Sequence, residues 1–122
     1  MNAARRSTDR LADILEAIFN ARSDIGNQTL SDFLADGKSQ RAVIESLMVI
    51  GEASKRLLGL APELETEFPD VAVLLREAND MRNLLAHEYF RVDPEIIWTT
   101  VKIDLPELEA AMHKLSASFS QP

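Results

Sequence analysis

Residues 71–90 read VAVLLREANDMRNLLAHEYF, and this stretch decides the fold because its spacing suits one long amphipathic helix. On a wheel turned about 100° per residue, Arg76, Asp80, Asn83 and His87 form one polar stripe. Leu74, Ala78, Met81 and Leu85 fall on the opposite, core-facing side. Arg82 breaks the order, because it lies in the apolar sector with Leu75, Ala78, Ala86 and Tyr89. Arg82 and Tyr89 share a stripe, whereas His87 stands about 140° round the helix from Arg82.

The rest of the chain repeats the helical signal. Leu11, Ile14, Leu15, Ile18 and Phe19 recur at threes and fours, with Thr8 and Asp9 as capping candidates and a stop expected at Gly26-Asn27. A short helical turn is expected around Phe33 and Leu34, ending at Asp36-Gly37. Ser39 then opens a second long helix through Val43, Leu47, Ile50 and Leu57. Its interior Gly51 costs about 1 kcal/mol relative to alanine, which predicts that another backbone comes close there. Pro62 and Pro69 bracket an acidic linker at 63–70. Asp93-Pro94 pairs a cap with a proline at the first helical position and restarts the chain. The last helix carries Ile97, Val101, Leu105, Leu108, Met112 and Leu115, and Pro106 predicts a kink or a fresh start at Asp104. The expected fold is all-α, a four- to five-helix antiparallel bundle forming a single domain over 1–122.

Composition narrows the function. With 122 residues, 46% of them hydrophobic, the chain can bury one core but not two. It has no cysteine, which removes disulfides and thiolate metal sites. The basic start, MNAARRSTDR, leads into no apolar signal core, and no run approaches a membrane span, so the expected location is the cytoplasm. A net charge of −7 argues against a protein that coats nucleic acid, since phosphate neutralisation needs a basic surface. An RNA-acting protein of this charge needs a local basic pocket or a basic seam built from two chains.

On spacing alone, residues 82–89 carry two readings. Arg82 suits a structural ion pair with Glu52 or Glu45, His87 a solvent-exposed side chain, and Tyr89 a half-buried ring with a wet hydroxyl. The same residues also suit chemistry on a phosphodiester. Beyond spacing, RNLLAHEYF at 82–90 resembles the R-x-x-x-x-H-x-Y signature of the HEPN superfamily, in particular its HepT-type toxins. Arg82, His87 and Tyr89 match without gaps, and Asn83 and Phe90 agree with the usual flanks. The likeness extends to LADIL at 11–15, IGEA at 50–53, Ile97-Trp98 and DLPEL at 104–108. The chain departs from the common apolar-proline-Trp lead into the motif helix, with Val71-Ala72-Val73 in its place.

The resemblance implies a homodimer that cuts RNA without metal at the dimer cleft. It also implies a partner, an MntA-type nucleotidyltransferase antitoxin that adds AMP to the motif tyrosine, here Tyr89. Arg82 and His87 are then the expected catalytic pair, with Asn83, Asp80 and Glu52 in supporting positions. The chemistry is consistent. Cleavage through the RNA's own 2′-hydroxyl needs a base, an acid and positive charge on the transition state. Histidine side chains serve both proton roles near neutrality, and a guanidinium forks onto phosphate oxygens. One chain supplies one such histidine, and a two-fold dimer supplies the second. Two chains would also gather arginines, Arg76 and Arg91 among the candidates, into a basic seam. No cofactor is expected: there is no phosphate-binding glycine loop, and Asp80 with His87 are too few ligands for a metal. The alternative is a HEPN-like docking subunit of a nucleotidyltransferase that cuts nothing, although such a subunit would not need the intact Arg82/His87 pair.

Overall fold

The computed structural model describes residues 2–120, with Tyr89 by its backbone alone. Three long helices dominate: α1 (Ala3–Ile25), α3 (Gly37–Leu60) and α5 (Pro69–Glu88). Short helices α2 (Leu30–Leu34) and α4 (Leu64–Glu67) lie in the connections between them. After a 3-10 turn at Tyr89–Arg91, α6 (Pro94–Thr99) runs through a π-helical turn (Thr100–Asp104) into α7 (Leu105–Phe119). Among the described residues there is no strand. The all-α expectation stands, and the α6–α7 segment supplies the bundle's fourth long element. Among the described residues no helix is long and apolar enough to cross a membrane.

Helix α3 is the centre of the arrangement, packed by α1 on one side and α5 on the other, while α7 touches both α1 and α5. One contiguous core results, from Leu11, Ile14 and Ile18 of α1 through Leu47, Ile50 and Leu57 of α3 to Leu105, Leu108 and Met112 of α7. Phe33 of α2 is fully buried and stacks at a tilt on Trp98 of α6, 5.6 Å between ring centres. That contact pins the short connecting helices to the bundle.

Several boundaries move from the sequence expectation. Helix α1 begins five residues before Thr8: Asn2 is the cap, its side chain accepting the Arg5 N–H at 2.9 Å. Thr8 instead donates its hydroxyl to the Ala4 carbonyl within the helix. Helix α3 begins at Gly37, not Ser39, because Asp36 accepts the backbone N–H groups of Lys38 and Ser39 at 3.1 and 3.2 Å. The acidic linker holds α4, anchored by buried Leu64. The motif helix starts at Pro69 and stops at Glu88, whose φ of −140° leaves the helical region.

Gly26 (φ 55°) ends α1 where a left-handed backbone is required, as the sequence indicates. Asp93 caps α6 through the Glu95 N–H at 2.9 Å, with Pro94 behind it. Pro106 cannot donate to the Lys102 carbonyl in an ordinary helical turn, since it lacks an N–H and its ring crowds that oxygen. The π turn just before it absorbs the conflict, with the Leu105 N–H reaching back to Thr100.

Candidate active site

The site is built where α5 crosses α3. The buried side of α5 runs through Val71, Ala72, Leu75 and Leu85, and Leu74, Ala78 and Met81, which the wheel assigns to the core, are only half-buried. On an ideal helix Arg82 falls within about 20° of both Val71 and Leu75, so a cation occupies the middle of the α3-facing stripe. Gly51 makes this possible. A Cβ there would meet the Ala78 carbonyl oxygen and Arg82 Cγ at 2.8 Å, and Arg82 Cβ more closely still. The close backbone approach expected from the glycine is therefore present, and its partner is the stretch of α5 that carries Arg82.

With its stem against Gly51, Arg82 brings its guanidinium to the rim of the helix pair. Its side chain keeps 22% of its accessible surface. Nη1 lies 3.5 Å from Glu52 Oε2, the carboxylate anticipated from the sequence. Asn79, one turn earlier on α5, accepts from Arg82 Nε at 3.3 Å and from Nη2 at 3.1 Å. Glu52 is also bound by Arg56 Nε at 3.0 Å. The Arg56 hydrogen bond, joined by the positive charge of Arg82, holds the Glu52 carboxyl below its ordinary pKa against a partial loss of hydration. Asn79 and Arg56 were missed in the sequence. Both were legible in principle, at three residues before Arg82 and four after Glu52, the spacings that place helical side chains together.

The other motif residues do not converge on Arg82 within one chain. His87 is exposed in the last turn of α5, about 7.5 Å further along the axis and on another face. Asp80 and Asn83 are exposed, and among the described residues neither makes an ion pair or side-chain hydrogen bond with Arg82 or His87. The side chain of Tyr89 lies outside the described structure; its backbone opens the 3-10 turn two residues past His87. Phe90 is exposed, with the Arg91 guanidinium 5.2 Å above its ring. Arg76, a candidate for the basic seam, is instead tied to Glu65. Among the described residues no three His, Cys, Asp or Glu side chains cluster as metal ligands.

Comparison with known proteins points to one family. The family model described as ribonuclease HepT-like matches residues 14–115. A probable ribonuclease HepT of Thermococcus cleftensis is 41% identical over 111 residues, covering 91% of this chain and 96% of that protein. A candidate RNase of Methanocaldococcus jannaschii is 30% identical over 105 residues, covering 86% of this chain and 83% of the relative. Another, from Caldanaerobacter subterraneus, is 37% identical over 87 residues, covering 71% and 73%. No solved structure gives a significant match.

Proposed function

We propose that this chain, which belongs to the HepT-like ribonuclease family, cuts RNA at a composite site formed by Arg82 and His87 of two copies. The carrying observation is the separation of the two groups on α5. Arg82 is locked at the α3 crossing and His87 stands free near the helix end, on another face. A second copy packed along this face supplies the missing member to each half-site. It also concentrates positive charge on a chain that carries −7 overall.

In this mechanism one His87 takes the proton of the RNA 2′-hydroxyl. The oxygen attacks the adjacent phosphorus, the bond to the 5′-oxygen breaks, and the other His87 protonates that leaving oxygen. Arg82 meets the charge that builds on the phosphoryl oxygens. The products are a 2′,3′-cyclic phosphate and a 5′-hydroxyl. Asp80 and Asn83, exposed on the His87 side of the helix, would line the path of the RNA backbone beside the histidine.

Tyr89 is the regulatory position. A nucleotidyltransferase antitoxin would move AMP to it: the phenol oxygen attacks the α-phosphorus of ATP, pyrophosphate leaves, and the phenolic proton passes to solvent. The bulky anion then blocks the phosphate path by shape and by charge. This pairing makes the protein the toxin of a toxin–antitoxin system.

Two measurements test the proposal. His87→Ala should keep the fold and lose cleavage by a factor on the order of 10²–10⁴, and cleavage by the parent should persist in EDTA. Sedimentation should show a dimer at micromolar concentration. A fully active monomer, or strict dependence on added Mg²⁺, refutes the composite mechanism. The second reading, a docking subunit that cuts nothing, draws on one observation: Arg82 is held from both sides, as a structural arginine would be. Unchanged RNA after incubation with the purified dimer would favour it.

A further inference from the structure

We infer that Asn79 is a positioning residue for Arg82, one that aims the guanidinium and, being uncharged, leaves its positive charge available to an RNA phosphate. The inference rests on the ribonuclease reading for its purpose, and on the contacts at the α3–α5 crossing for its substance.

A guanidinium has five N–H donors in a rigid plane. In this protein two are committed, Nε–H and one Nη2–H to Asn79 Oδ1, while Nη1 stands 3.5 Å from Glu52 Oε2 as an ion pair. Three remain, two on Nη1 and one on Nη2. One from each terminal nitrogen forms the outer edge of the plane, the fork that fits two oxygens of a phosphate. The side chain is thus held along its inner edges and presents its outer one.

The charges around it are arranged to the same end. Glu52 is shared between Arg56 and Arg82, one anion against two cations. Within this trio one positive charge is left without a carboxylate of its own. An aspartate at position 79 would accept the same hydrogen bonds and cancel that charge. Asparagine gives the acceptor without the charge. Holding the rotamer in advance also reduces what Arg82 must lose in freedom when it meets the transition state.

Two substitutions separate aim from charge. Asn79→Asp keeps the acceptor and adds an anion; Asn79→Ala removes the acceptor and leaves the charge. The first readout is the Arg82 Nε–H resonance in the ¹⁵N spectrum, assigned by its loss in Arg82→Lys. It should be protected from exchange with water in the parent and in Asn79→Asp, and exposed to exchange in Asn79→Ala. The second is binding of a 2′-O-methyl RNA oligonucleotide, which cannot be cut, as a function of salt. Asn79→Asp should bind on the order of tenfold more weakly, with a salt dependence shallower by about one phosphate contact per site. Asn79→Ala should keep the salt dependence of the parent while its kcat falls more than its KM rises.

A protected Nε–H signal in Asn79→Ala would overturn the positioning role. An Asn79→Asp protein that melts with the parent and binds with the parent's affinity and salt dependence would overturn the charge argument. If Asn79→Ala does not fold, Asn79→Leu, which fills the same space without an acceptor, takes its place in the Nε–H measurement. Failure of the ribonuclease reading looks different: Arg82→Ala would then cut and bind RNA like the parent, or the parent would not bind the oligonucleotide. The aim of Arg82 is in that event judged by its Nε–H signal alone.

Discussion

Replacing Gly51 by alanine puts the crossing of α3 and α5 to a direct test. Alanine is favoured over glycine in a helix interior by about 1 kcal/mol, so without a neighbour the substitution would stabilise. Here the new methyl would lie 2.8 Å from the Ala78 carbonyl oxygen, inside the 3.0 Å that such carbons essentially never reach. The obstacle is backbone and cannot swing aside, so α5 must move. Overpacking of this kind costs about 1–3 kcal/mol, and three clashes on one carbon place it toward the upper end. The net expectation is a loss of about 1–2 kcal/mol, or about 3–10 °C in melting temperature for a domain of this size. Gly59 provides the control on the same helix, since no atom lies within 4 Å of a Cβ placed there. Gly59→Ala should raise the melting temperature by a few degrees. Thermal unfolding followed by circular dichroism reads both, and RNA cleavage should fall in Gly51→Ala because Arg82 shifts with α5. Equal stabilisation by the two alanines would show that α5 does not approach α3 at Gly51, and the placement of Arg82 would fall with it.

The Asp36 cap predicts a pH signature. Bonds from the Ser39 hydroxyl and backbone, and from Gln28, lower its pKa from 3.8 to about 2. The stabilisation it gives is complete above its ordinary value and is lost as the pH falls toward the lowered one. Asp36→Ala should therefore melt below the parent at pH 7, and the gap should close between about pH 4 and pH 2; a constant gap refutes the charged cap. Tyr89→Phe removes the oxygen that would accept AMP and keeps the ring. It should cut RNA like the parent, gain no AMP when incubated with ATP and a partnered nucleotidyltransferase, and escape silencing. Equal silencing of both proteins would assign neutralisation to occlusion by the partner.

Much of this was legible in one dimension because helical periodicity and punctuation are local. The spacing of Leu11 to Ile18 and of Leu105 to Leu115, the Gly26 stop and the Asp93-Pro94 restart depend on neighbours within one or two turns. The motif at 82–89 was legible as a resemblance, and Glu52 as a partner for Arg82 because a cation in an apolar sector needs a carboxylate. The helix starts were not. Asn2 displaced Thr8 and Asp36 displaced Ser39 because several capping residues compete, and the winner is the one whose side chain meets free N–H groups.

What the sequence by itself determined is the all-helical class, the order of the long helices, and a glycine that invites another backbone to come close. What only the tertiary structure decided is the orientation of Arg82. Its plane is set by Glu52 from α3, brought beside it by the close crossing at Gly51, and by Asn79 from its own helix. The tertiary structure also pairs Arg76 with Glu65 of α4. The physical reason is range. Backbone hydrogen bonds and periodic burial are governed by residues a few positions apart, whereas the direction of a long charged side chain depends on which distant carboxylate the packed helices bring within reach.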